Sequence, residues 1–186
     1  MFFIILAFIA TLLIVAAFLP EKYSITRTVE VNRSSLNLYN RIADLYRWRE
    51  WDPWSIGEGE TKNEIRGVLG QKGHSRTISD KHREDRITLL GNVGIDSLFM
   101  QRETSSDIIK RSTESWAFEK TDNGTTVTWK SEVELGYPIG RYYGFFNKNQ
   151  HEQEMIRTLE RLKDISESDA DQPPKPLVVP NPAIAE

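Results

Sequence analysis

The chain has no cysteine among its 186 residues. Disulfides, thiolate nucleophiles and cysteine-ligated zinc are therefore excluded, although the lack of cysteine does not identify a compartment. Histidine is nearly as scarce, with three. His74 and His82 are separated by a turn and lack a third ligand at suitable spacing. His151 opens the run His151-Glu152-Gln153-Glu154-Met155, one imidazole short of the H-E-x-x-H zinc signature. A hydrolytic zinc needs that second imidazole on the same helical face, so the run reads as a solvated helix face and no metal site is expected. No Gly-Lys pair occurs, which removes the P-loop, and no G-x-S-x-G occurs either. Gly67, Gly70 and Gly73 surround a strand turn and do not precede a helix, so they form no dinucleotide site. No cofactor is expected.

Charge of one sign is also missing. The segment 167–186 carries Glu167, Asp169, Asp171 and Glu186 against Lys175, which accounts for the whole net charge of −3. The remaining 23 basic and 23 acidic residues cancel. A neutral body argues against general nucleic-acid binding, which needs excess Lys and Arg facing phosphates. The same segment holds five of the eight prolines and few large apolar residues. It reads as a disordered, Pro-rich acidic tail.

What is abundant is concentrated at the start. Residues 2–19 contain no charge and one hydroxyl, Thr11. Eighteen helical residues rise about 27 Å, close to the ~30 Å hydrocarbon thickness, and Pro20 ends the run. A cleaved signal peptide is the competing reading, with Val15 and Ala17 as small residues of a cleavage site. The basic start such a peptide needs is absent. A buried core helix would show a polar stripe, and there is none. Residues 1–19 are thus expected to be a retained single-pass transmembrane anchor. Lys22, Arg27 and Arg33 follow the span and no basic residue precedes it, which places the body in the cytoplasm by the positive-inside tendency. Between anchor and tail, residues 20–166 form one domain large enough for a real core.

Within that body, residues 23–32 alternate Tyr23, Ile25, Val29 and Val31 with Ser24, Thr26, Thr28 and Glu30, the pattern of a half-buried strand. Arg27 interrupts the apolar face. Ser34 or Ser35 can cap a helix carrying Leu38, Ile42 and Leu45, which runs into Trp48, Trp51 and Trp54 before Pro53 stops regular structure. From residue 61 to 135 short strands alternate with turns. Asp80 to Arg86 reads as a solvated connection, and Asp122-Asn123-Gly124 as a tight hairpin in which Asn-Gly takes positive φ. Seven strands result in all. After Gly136, Pro138 and Gly140 a long helix extends to about Ile165, with Phe145, Phe146, Met155, Ile156, Leu159 and Leu162 as its apolar side. This order predicts an antiparallel sheet with helices on one side.

The stretch 23–54, with Asn32, Asp44, Trp48, Trp51, Pro53 and Trp54 in the form strand, N-A-P, helix, D-x-x-x-W-x-x-W-x-P-W, resembles the opening of the SRPBCC superfamily. These are the START and polyketide-cyclase-like proteins. Residues 124–135 resemble the family's penultimate segment, and 155–165 the end of its long helix. Arg33-Ser34-Ser35 departs from the usual Ala-Pro, but serine still starts a helix. The resemblance spans 23–165 and implies an α+β helix-grip fold: a seven-stranded curved antiparallel sheet around a long C-terminal helix. It says little about activity, since fold does not settle function.

A curved sheet gripping a helix leaves room for an apolar cavity. Strand parity and the apolar helix side nominate Met100, Trp116, Phe118, Trp129 and Phe146 as its lining, with Trp51 or Trp54 near one end. The tryptophans also read simply as a packing cluster. Arg27, Glu114 and Ser131 are polar residues on otherwise apolar faces. Arg27 and Glu114 would form an interior ion pair or orient a ligand, because unpaired charge is costly there. The function expected is membrane-anchored binding of a lipid-like or polycyclic small molecule, with no catalytic residue assigned. Two alternatives are a cyclase- or hydratase-type enzyme using Glu114 or Arg27, and a membrane-surface interaction module whose cavity is filled by its own side chains.

Overall fold

The computed structural model describes residues 1–52, 62–81 and 83–168. Helix α1 spans Phe2–Phe18, followed by strand β1, Lys22–Val31. Two short helices come next, α2 at Ser35–Ala43 and α3 at Trp48–Trp51. Six strands then follow: β2 Lys62–Arg66, β3 Ser75–Ser79, β4 Glu84–Val93, β5 Ser97–Thr104, β6 Ile109–Thr121 and β7 Gly124–Leu135. Helix α4, Ile139–Ser168, closes the chain's described part. The strands form one antiparallel sheet in the order β1-β7-β6-β5-β4-β3-β2, and α4 packs across its inner face against β1.

The alternation seen in the sequence sets which side chains face α4. Register carries three inward rows across the sheet. One runs Tyr23, Val133, Ser112, Arg102, Ile87 and Arg76; the next Ile25, Ser131, Glu114, Met100 and Leu89; the third Arg27, Trp129, Trp116 and Leu98. Ser34 caps α2, its hydroxyl accepting from the Asn37 amide at 3.3 Å, and α2 buries Leu38, Ile42 and Ala43. Trp48 is fixed by an indole N–H that donates to the Ile42 carbonyl at 2.7 Å. At the hairpin, Asp122 and Asn123 make the turn and Gly124 opens β7, with φ +150°. A side chain at Gly124 would put its Cβ 2.2 Å from the Val31 carbonyl oxygen. Close approach of β1 is thus the reason for glycine, in place of the expected Asn-Gly turn.

Three expectations need correction. The apolar run at the N-terminus is a 17-residue helix, and among the described residues no helix is long and apolar enough to cross a membrane. Seventeen residues rise about 25 Å, short of the ~30 Å expected of a span. Glu84, Asp85 and Arg86, expected in a solvated connection, belong to β4, and Asp85 lines the interior. Phe145 and Phe146 do not share the core side of α4. That side carries Gly140, Gly144, Met155, Thr158, Leu159 and Leu162. Nine residues separate Phe146 from Met155, two and a half helical turns, which puts them on opposite faces. The predicted tail lies outside the described residues from 169 onward.

Candidate functional site between the sheet and helix α4

One end of the interior is filled by indoles. The Trp116 and Trp129 rings stack at 4.5 Å with 12° between planes, and Trp51 meets Trp116 edge-on at 6.1 Å. Trp48 packs at 4.8 Å from Trp51. Met100, Phe118 and Leu98 are buried beside them. Of the residues expected to line a cavity, Trp51, Met100, Trp116, Phe118 and Trp129 therefore do face one interior, and they fill it with each other. Phe146 is 73% exposed and lies outside it. Trp54 lies outside the described residues.

Charge occupies the other end. Glu114 sits on the middle row between Ser131 and Met100, where Arg102 Nε donates to its Oε1 at 3.1 Å. Its partner is therefore not Arg27. Arg27 forms an ion pair with Glu152 on α4, with their side chains 38% and 26% exposed. Parity placed both Arg27 and Glu114 on the inner face. It could not show that two rows separate β1 position 27 from β5 position 102, or that Arg102 shares Glu114's neighbourhood. Arg76 is buried on β3, its Nε donating to Asn63 Oδ1 at 3.0 Å. Arg76, Arg102, Asp52 and Asp85 surround a cavity of about 10 Å³ together with Trp48 and Ile87. That is room for one water. A larger recess of about 1010 Å³ is an open surface groove near Arg33, Ser34, Phe118, Lys120 and Asn123.

Burial raises the Glu114 carboxyl above the usual carboxylate range, against the pull of Arg102 and the Trp129 indole N–H. Burial disfavours the Arg102 charge, but Glu114, Asp52 and Asp85 outweigh it and hold the guanidinium ionised. Above this pair, the Tyr23 hydroxyl and His151 Nδ1 are 3.1 Å apart. Burial, reinforced by the charge on Arg102, pushes His151 down to about 4. Burial, with Tyr143 and Glu154 nearby, pushes Tyr23 up to about 12. At neutral pH the imidazole is thus neutral and the phenol protonated, so the hydroxyl donates and Nδ1 accepts. The arrangement can hold a proton on Tyr23 and take one on His151. Among the described residues no three His, Asp or Glu side chains group as a metal site would require.

Tyr23, Arg76, Arg102, Asp52 and His151 are the site residues that sequence reasoning did not nominate. Their signals were present: Arg102 is two residues from Met100 on one strand face, and His151 is one helical turn before Met155.

The chain matches no protein-family profile. No curated protein matches it either. Solved structures do resemble it. An aromatase/cyclase from a Streptomyces species superposes with a TM-score of 0.61 at 12% identity, over 81% of this chain and 97% of that one. A norcoclaurine synthase from Thalictrum flavum, a point mutant in complex with a transition state analogue, gives 0.59 at 9% identity, over 80% and 96%. An uncharacterised protein from Rhizobium leguminosarum gives 0.61 at 14%, over 80% and 96%. The fold is the helix-grip fold. Identities this low establish the fold alone, in agreement with the SRPBCC resemblance of the sequence.

Proposed function

We propose that this helix-grip domain binds an amphipathic small molecule at the charged end of its interior, between α4 and the outer row of the sheet. The observation that carries this is the cluster of buried Arg76, Asp52 and Glu114 with half-buried Arg102 inside a largely apolar core. A core that served packing alone is commonly as stable or more so with apolar residues in such places. Two guanidiniums already face carboxylates, so the preferred head is uncharged and rich in carbonyl or hydroxyl groups. Tyr23, Met100 and the α4 face supply the apolar wall for a lipid-like or polycyclic body. A 10 Å³ space holds no such molecule, so binding selects a wider state in which α4 lifts from the sheet. The ligand-binding roles of Trp51, Trp54, Met100, Glu114, Trp116, Phe118, Trp129, Ser131, Phe146 and Arg27 belong to this proposal. The geometry favours Glu114 and Met100 among them.

Helix α1 is apolar around its whole circumference and exposed nearly all along it. We propose that it buries in a lipid bilayer and holds the body at the membrane surface, on the cytoplasmic side that Lys22, Arg27 and Arg33 favour.

The test is native mass spectrometry of the full chain extracted in mild detergent. A retained small molecule, lost in Arg102→Leu/Glu114→Leu, is the expected result. A bare mass, with no shift in melting temperature across fatty acids, isoprenoids and aromatic polycycles, would overturn it in favour of an interaction module with a filled interior. The Trp116–Trp129 stack is the observation on that side. A cyclase- or hydratase-type activity is favoured by the Tyr23–His151 pair; turnover of a bound carbonyl compound would then fall in Tyr23→Phe and His151→Gln while binding persists.

A further inference from the structure

The start of α4 presents two unlike faces. Gly140 and Gly144 point into the body, where a Cβ would stand 2.1 Å from the Ile108 carbonyl oxygen and 2.3 Å from a Leu135 methyl. The opposite side carries Ile139, Phe145 and Phe146, exposed at 67%, 62% and 73%, with Tyr137 half exposed beside them. Beyond Asn147 the outward residues of α4 turn polar: Lys148, Asn149, Gln150, Gln153 and Arg157. The apolar surface is therefore confined to the helix start and does not follow the rest of the helix.

This patch adjoins the end of α1, and polar groups of α4 fasten the two together. The Tyr137 and Tyr142 hydroxyls donate to the carbonyls of Leu13 and Leu12 at 2.8 and 2.7 Å. Arg141 donates to the carbonyls of Ala16 and Ala17 at 3.2 and 3.1 Å and pairs with Glu21. A guanidinium on the last carbonyls suits the negative end of a helix. Tyrosine hydroxyls, an arginine and phenylalanine rings collected at the end of an apolar helix are what a membrane–water interface selects.

We propose that the first two turns of α4 lie in the interfacial layer of the same bilayer that takes up α1, so that the body docks flat against the lipid. This rests on the reading of α1 as a membrane helix. A protein partner could cover one side of α1, but not an apolar surface that runs all the way round it and on into Ile139, Phe145 and Phe146. Length points the same way. At about 25 Å, α1 does not cross a ~30 Å hydrocarbon layer, and an apolar helix taken up from one side keeps the residues at its end in the interface. The Tyr23–His151 pair, at the start of β1 and on α4, then lies near the lipid surface, and an amphipathic ligand reaches it without crossing bulk water.

The absence of cysteine makes the test clean, because each introduced thiol is unique. Full-length Ile9→Cys, Phe146→Cys and Asn123→Cys chains are labelled with an environment-sensitive fluorophore and reconstituted into phosphatidylcholine nanodiscs. Spin-labelled lipid should quench the probes at 9 and 146 several-fold more than the probe at 123, and iodide should do the reverse. Adding Phe145→Asp should return the probe at 146 to water. If the probe at 9 is lipid-quenched but the probe at 146 responds only to iodide, the docking is wrong while the anchor stands. If the probe at 9 itself responds only to iodide, the anchor reading fails and the docking with it. A probe at 146 shielded from both quenchers would mean that a second copy or another protein covers the patch, which also overturns it.

Discussion

The two ends of the interior, built on the same strands, solve burial in opposite ways. At the indole end, Trp48, Trp51, Trp116 and Trp129 satisfy one another by area and ring geometry. Such contacts are non-directional apart from ring tilt, and they add to stability with every atom buried. At the charged end, Glu114, Arg76 and Asp52 are buried and Arg102 is half-buried, at a desolvation cost that pairing offsets. Packing fixes the shape of the grip, whereas the charges are where it gives up stability. A site that gives up stability is the better candidate for function.

That contrast is sharpest in the response to truncation. Trp116→Ala removes the ring that contacts Trp48, Trp51 and Trp129 at once. It should lower the free energy of unfolding by about 3–5 kcal/mol, the range for large aromatic truncation in a core, as read by denaturant melts of the full chain in detergent. A loss under about 1 kcal/mol would mean that the indoles do not form the floor of the fold.

Arg102→Leu probes the charged end. It strands the buried Glu114 carboxylate and should cost about 3 kcal/mol near neutral pH. Arg102→Leu/Glu114→Leu should recover most of that loss, because the uncompensated charge is gone. Additive losses in the double-mutant cycle would show that the two groups do not interact.

Acid separates the ends by titration. His151 has a folded pKa of about 4 against the ordinary 6.5, so the fold favours its neutral form. Its contribution is present above pH 6.5 and is lost as pH falls from 6.5 toward 4, about 3 kcal/mol in all. Glu114, raised by burial, acts in the opposite sense, since its protonated form suits the fold and acid relieves its cost. The His151→Gln chain should therefore lose less stability than the parent between pH 6.5 and 4. Parallel curves would show that His151 is not desolvated against the sheet.

How far the sequence foretold these two ends differs for a physical reason. The indole end was legible because strand alternation has period two: Trp116 and Phe118, like Trp129 and Val127, share a face whatever the register. Seven antiparallel strands and the capped α2 follow from the same local signals. The charged end depends on register across four strands. Arg102 meets Glu114 only because Met100 pairs with Glu114 and Arg102 with Ser112. No single segment carries that information. The α4 start differs for the opposite reason: aromatic character suggests burial, whereas helical phase sets Phe146 opposite Met155.

The smallest effect belongs to Arg27, whose partner is Glu152 on α4 and not Glu114. Arg27 on β1 reaches Glu152 on α4 where the two elements pack, but both side chains keep contact with water. Water screens such a pair, and ordering two long side chains offsets most of its Coulomb gain. Arg27→Gln should cost no more than about 1 kcal/mol, and 0.5 M salt should erase most of the difference from the parent. Arg102→Leu should keep its larger loss in the same salt, because ions do not penetrate to Glu114. If Arg27→Gln instead matched Arg102→Leu in size and salt resistance, the rim of the grip would be as dry as its interior.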